Sequence, residues 1–140
     1  MACRRSSGNE GSMKKPISTQ SAPRAIGPYS QAVEARGQRT LYLSGQIPLD
    51  PASGELVQGT IEEQAARVLE NLGAVLAGAG AGFEQVVKTT VFLVDLADFP
   101  KMNEIYGRAF AHVPPARSTV QVAALPRGAR IEIEAVAVLD

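Results

Sequence analysis

Apolar positions recur along this chain with two different periods, and the switches between them divide it into elements. Residues 31–35 read as a short strand and 40–47 as a second, with Leu41, Leu43 and Ile47 on one face and Arg36-Gly37-Gln38 as the turn between them. Pro51, Ser53, Gly54 and Gly59 mark residues 48–59 as a loop. The spacing then lengthens to three and four: Ala65, Val68, Leu69, Leu72, Val75 and Leu76 make the inner stripe of a helix. Thr60 with Glu63 three residues on forms a T-x-x-E capping box at its start, and the run Gly78-Ala79-Gly80-Ala81-Gly82 stops it. Residues 86–94 are apolar on both alternating faces, which predicts a central strand covered on both sides. Asp98 or its neighbour caps a second helix with Phe99, Met102, Ile105, Tyr106, Ala109 and Phe110 as its buried stripe, and His112-Val113-Pro114-Pro115 ends it. Residues 118–122 and 130–139 are the last strands, joined by the turn Leu125-Pro126-Arg127-Gly128.

The order β-β-α-β-α-β-β predicts an α+β domain: one mixed sheet with two helices on one face. Its last strand puts Ile131, Ile133, Ala135 and Ala137 on one side and Glu132, Glu134, Val136 and Val138 on the other. Two helices cover only one side, so the second face needs another subunit to cover it.

Residues 1–22 lack this patterning. They are polar, bury little, and are expected to form a mobile tail, leaving residues 23–140 as a single domain. Gly11-Ser12 reads as a vector-derived joint ahead of a native start at Met13. A natural extension is the alternative, or a short targeting signal, since Arg4, Arg5, Ser6 and Ser7 are mildly transit-like. The whole chain of 140 residues fits one domain with a substantial core. Its 14 Lys and Arg balance 14 Asp and Glu, so no overall charge draws it to nucleic acid or to an anionic membrane. Cys3 is the single cysteine and His112 the single histidine, which leaves no intramolecular disulfide and no Cys-based metal site. No apolar run is long enough to span a bilayer, and the cytosol is the expected compartment.

A few residues stand out as candidate chemistry. Arg117 follows a stiff Pro-Pro segment and opens a strand, and its planar guanidinium suits a carboxylate; a surface or interface salt bridge is the plain alternative. Glu132, in an otherwise apolar strand, has the chemistry to orient or deprotonate water, or to pair with an arginine such as Arg130; Glu134 shares its facing and cannot be separated from it by spacing. Tyr29, in the turn Gly27-Pro28-Tyr29, presents a phenol that can cover a small ligand or simply close the core edge. Gly45 sits inside a strand, which marks either a close approach or a bulge. Asn103 faces a pocket or solvent, and His112 reads as a helix-end partner. The glycines at 78–82 match no nucleotide-binding fingerprint.

Taken together, GPYSQA, LYLSGQIPLD, the F-x-x-M-N-x-x-Y-x-x-x-F helix, PPARSTVQVA-x-LP and IEIEAVAV resemble the RidA (YjgF-type) family, from about Pro23 to Leu139. The resemblance implies a chorismate-mutase-like fold and a homotrimer whose sheets meet in a central barrel, with clefts between subunits. It implies a 2-iminobutanoate/2-iminopropanoate deaminase that hydrolyses enamine and imine intermediates to 2-keto acids and ammonia without a metal or organic cofactor. Arg117 would bind the substrate carboxylate and Glu132 would position and activate water. Tyr29, Gly45 and Asn103 would line the cleft, with Tyr29 reaching over from the neighbouring subunit. Thr119, where some members carry cysteine, would hold water through its backbone carbonyl. A non-catalytic carboxylate-binding regulator of the same fold is the alternative, and a ribonuclease or translation inhibitor a more distant one.

Overall fold

The structure, a computed structural model, describes residues 11–140. Eight main elements succeed one another: β1 (Met13–Ile17), β2 (Ala32–Arg36), β3 (Arg39–Gln46), α1 (Ile61–Gly78), β4 (Val86–Leu93), α2 (Phe99–Ala109), β5 (Ala116–Gln121) and β6 (Ile131–Leu139). Four strands form a mixed sheet in the order β3-β6-β4-β5; β4 and β5 run parallel and the other pairs antiparallel. β1 and β2 form a separate antiparallel ribbon, joined to the sheet by a bridge between Ser30 and Ala116. The expected single sheet is therefore a four-stranded sheet with a two-stranded annex. The strand expected at 31–35 pairs with β1, which the apolar pattern does not reveal.

α1 starts where its sequence says. Thr60 accepts the Glu63 N–H while the Glu63 carboxylate accepts the Thr60 N–H, so two orphan donors of the first turn are satisfied reciprocally. Its stripe of Ile61, Ala65, Val68, Leu69, Leu72 and Leu76 is buried against β6 and β3. α2 starts differently from expectation. Asp98 occupies the cap position, but its side chain makes no cap bond; both carboxylate oxygens accept from Arg130 at 3.0 Å. Asp95 instead caps the short 3-10 turn ahead of the helix, accepting the Ala97 N–H.

β4 is central, as expected, but it is not covered on both sides. Val86, Thr89, Val91 and Leu93 are buried under the helices, while Thr90 and Phe92 on the opposite side are only partly covered. β6 repeats the division: Ile131, Ile133, Ala135, Ala137 and Leu139 are buried, and the alternate residues are not. The outer face also carries Tyr42, 81% exposed, and Val120. An apolar sheet face left this open is the surface expected of an interface.

The largest departure lies near the N-terminus. The tail expected over residues 1–22 is paired structure from Met13, in register from Met13–Arg36 to Ile17–Ala32. The segment after β1 is held by one side chain. The Gln31 amide oxygen accepts the Thr19 N–H, and its nitrogen donates to the carbonyls of Thr19, Ala22 and Pro23. Backbone pairing and a side-chain clamp, not apolar burial, order this stretch, which is why its composition concealed it. Residues 1–10 lie outside the described residues, and with them the alternative reading of Arg4 to Ser7 as part of a targeting signal. Among the described residues, no helix is long and apolar enough to cross a membrane.

Replacing Thr60 by Ala removes half of the capping box and is expected to lower stability by about 1 kcal/mol. A urea titration should show a lower midpoint with an unchanged slope.

Candidate active site

Arg117 lies in β5 opposite Thr89 of β4, which in turn lies opposite Ala135 of β6. All three therefore face the helices. α2 presents Phe99, Asn103 and Tyr106, spaced to share one helix face, toward the guanidinium. The guanidinium carbon sits 4.8 Å from the Tyr106 ring centroid and 5.3 Å from that of Phe99, and Asn103 Oδ1 accepts from Nη1 at 2.7 Å. Tyr29 closes the box, its ring centroid 5.4 Å away.

Tyr29 reaches Arg117 of its own chain because its turn is tied to the segment that precedes Arg117. Ser30 donates from its hydroxyl to the Pro114 carbonyl at 2.6 Å and from its N–H to the Pro115 carbonyl at 3.1 Å. The expectation that Tyr29 comes from a neighbouring subunit is corrected accordingly. The rings supply cation–π attraction without neutralising the charge. Among the described residues no carboxylate pairs with Arg117. Burial pushes the guanidinium below its ordinary pKa, and the nearby Tyr106 and Tyr29 oppose that shift. Most of its N–H groups have no protein acceptor, and a cavity of about 250 Å³ lies before it, lined by Tyr29, Phe99, Arg117 and Thr119. The Thr119 hydroxyl, on the same strand face, is shut off from solvent and has no hydrogen-bond partner among the described residues.

One polar pair lies behind the box. Thr89, fully buried, and Tyr106 share a hydroxyl–hydroxyl hydrogen bond of 2.6 Å. Burial raises the Tyr106 phenol to about 12, with the Thr89 bond and the Arg117 charge pulling the other way. This bond fixes the ring on which Arg117 rests. The apolar pattern places Phe99 and Tyr106 in the core stripe only; their i, i+7 spacing around Asn103 is the signal that they also face Arg117.

Glu132 does not join this group. It lies opposite Phe92 of β4, which lies opposite Val120 of β5, so it projects from the other side of the sheet. Gly45 belongs with it. β3 bulges between Leu43 and Gln46, and a Cβ on Gly45 would collide with the Glu132 carboxylate. The bulge expected at Gly45 is present, and the group that approaches it is the Glu132 side chain, where a ligand or another backbone was expected. Glu134 is separable after all: it is exposed and lines a cavity of about 160 Å³ with Tyr42 and Lys88. Six candidate residues thus fall into two sets: Tyr29, Asn103, Arg117 and Thr119 on the helix side, Gly45 and Glu132 on the open side. His112 is exposed beyond the end of α2, away from both.

These contacts set expectations for two variants. Tyr106 holds its proton up to about pH 12 in the folded chain but only to 10 in a free phenol, so its stabilising share is complete below pH 10 and lost as pH rises toward 12. Tyr106→Phe should flatten that alkaline loss, by about 1.4 kcal/mol per unit of pKa difference, in denaturant titrations across this range. Gly45→Ala should leave the helices folded but displace the Glu132 carboxylate, visible in a crystal structure of the variant.

The family model described as Endoribonuclease L-PSP matches residues 19–139. Protein DfrA of Myxococcus xanthus is 58% identical over 125 residues, 89% of this chain and 95% of that protein. The 2-iminobutanoate/2-iminopropanoate deaminase of Mus musculus is 57% identical over 126 residues, 90% of this chain and 92% of the mouse protein. The crystal structure of E. coli TdcF with bound serine superposes with a TM-score of 0.69 at 43% identity, covering 90% of this chain and 99% of that one. With a family model spanning nearly all of the paired structure and relatives above half identity, the chain belongs to the RidA (YjgF-type) family, whose model carries the L-PSP description.

Proposed function

We propose that this protein is a 2-iminobutanoate/2-iminopropanoate deaminase: it hydrolyses 2-imino acids, formed from enamines released by amino-acid dehydration, to 2-keto acids and ammonia. The observation that carries this reading is Arg117, a cation boxed by three rings and Asn103 with no carboxylate of its own among the described residues. Such a site is short of one anion. A carboxylate accepting two parallel N–H bonds supplies it, each charge-assisted bond worth about 1.5–3 kcal/mol. The cavity of about 250 Å³ suits a small substrate, and its Tyr29 and Phe99 walls suit a short aliphatic chain. The name borne by the mouse relative points to the same substrate class.

The chemistry needs one further group. With the carboxylate clamped, the imine carbon is held for attack, and orientation supplies part of the acceleration. Glu132 accepts a proton from water as its oxygen adds to that carbon, giving a carbinolamine. That proton passes to the nitrogen, the hydroxyl proton follows by way of Glu132 as the carbon–nitrogen bond breaks, ammonia leaves, and a carbonyl remains. An imine carbon is already electrophilic, so the step as written calls on no metal or organic cofactor. Thr119 lines the same cavity, and we assign to its backbone carbonyl the holding of the water.

Because Arg117 and Glu132 leave opposite sides of the sheet, we assign them to one cleft from two copies: Glu132 of one subunit meets Arg117 of the next. A homotrimer whose open sheet faces meet in a central barrel satisfies this requirement and covers Tyr42, Phe92 and Val120 as well. The family's ribonuclease description draws less support, since the charges balance and the single histidine leaves no histidine pair for acid–base cleavage of RNA.

The test generates 2-aminocrotonate in place with a dehydratase and follows keto-acid release above the uncatalysed blank. Wild type should accelerate release, and Arg117→Ala should lower kcat/KM by about tenfold to 100-fold. Glu132→Gln should lower kcat while carboxylate binding persists. Coincidence of wild type with the blank would leave a carboxylate-binding protein without this activity.

A further inference from the structure

Lys14 is the second residue of β1 and is partly covered, while Lys15 is exposed. The Lys14 amine nitrogen is shut off from water and has no hydrogen-bond partner among the described residues. Lysine ordinarily avoids this by snorkelling, with its stem on apolar surface and its head in water. Here the head is the enclosed part. Phe83, Ala109, Phe110 and Val113 wall a partly open cavity of about 110 Å³ beside it, with Glu84 and His112 on the lining. A second cavity of about 190 Å³, lined by Ser12, Met13, Gln85 and Val138, meets Lys14 and Glu84 from the other side.

An ammonium without acceptors is costly in such a place, whereas a neutral amine is tolerated. Burial does lower the Lys14 pKa, with Glu84 opposing part of the shift. A desolvated lysine in an apolar pocket is the form of amine that attacks carbonyl carbon. The first cavity holds about three or four water volumes, enough for a molecule of a few heavy atoms. Its walls are apolar, and the Glu84 carboxylate repels an anion, so the occupant it favours is uncharged.

We propose that Lys14 is a covalent capture site for small uncharged carbonyl compounds, aldehydes above all, distinct from the Arg117 cleft. The amine nitrogen adds to the carbonyl carbon, a carbinolamine forms with proton transfer from nitrogen to oxygen, and loss of water leaves a carbon–nitrogen double bond on Lys14. No oxidant or reductant is consumed, and hydrolysis reverses the step.

The chain carries its own controls in Lys15, Lys88 and Lys101. The native, full-length protein is exposed to limiting propanal with cyanoborohydride, which reduces the imine to a stable secondary amine. Tandem mass spectrometry then gives the labelling rate of each lysine, divided by its rate in the urea-unfolded chain. Lys14 should exceed Lys15 by at least about threefold in this ratio, and should lose the advantage when pyruvate replaces propanal. A ratio for Lys14 equal to or below that of Lys15 with propanal would overturn the proposal and leave Lys14 a closed structural amine. An equal preference with pyruvate would overturn the assignment to uncharged carbonyls. Neither result depends on whether the Arg117 cleft hydrolyses imines.

Discussion

Successive side chains of a strand leave opposite sides of its sheet, and this alternation governs how the candidate site is built. Through the ladder β6-β4-β5, Ala135, Thr89 and Arg117 are one row and Glu132, Phe92 and Val120 another. The first row meets α2 and its aromatic side chains. The second opens onto a face that neither helix covers. The cation proposed to hold a carboxylate and the carboxylate proposed to activate water leave opposite sides of the sheet of one copy. The proposed second copy, laid against the open face, would account for both the uncovered surface and the divided residues.

On the helix side, the arrangement around Arg117 is preorganised. Proline residues precede it, Ser30 ties the Tyr29 turn to those prolines, and the Thr89–Tyr106 bond fixes the ring beneath it. Little side-chain freedom would be left to lose on arrival of the proposed anion, which is how a small ligand is held firmly by few contacts. On the open side the device is subtraction: Gly45 has no side chain, and the Glu132 carboxylate occupies the space one would fill. The two sets thus differ in kind, one a box that surrounds a charge and the other a gap that admits one.

Local patterns in the chain disclosed what local interactions decide. The Thr60–Glu63 box, the α1 and α2 stripes and the alternation of β6 depend on neighbours within a few residues, and they stand where their patterns placed them except at Val75, which was expected in the α1 stripe and is exposed. What was hidden depends on distant partners. β1 pairs across some twenty residues and carries no apolar alternation, so its composition resembled a tail. Asp98 had the chemistry of a cap, but Arg130, far along the chain, offered it a guanidinium nitrogen that both carboxylate oxygens accept from. Tyr29 touches Arg117 only because Ser30 is bound to Pro114 and Pro115. Arg117 and Glu132 stood out in the sequence as candidates, whereas the sheet face each occupies required the register.

A cleft shared between copies is tested most directly by mixing two inactive variants. Arg117→Ala and Glu132→Gln are prepared separately, then unfolded and refolded together in equal amounts, and imine hydrolysis is compared with each variant refolded alone. If each cleft takes its arginine from one copy and its glutamate from the next, random mixing restores intact clefts in about one quarter of positions, and activity should return toward that fraction of wild type. If the mixture is no more active than its components, Arg117 and Glu132 do not meet across copies, and the shared cleft is wrong.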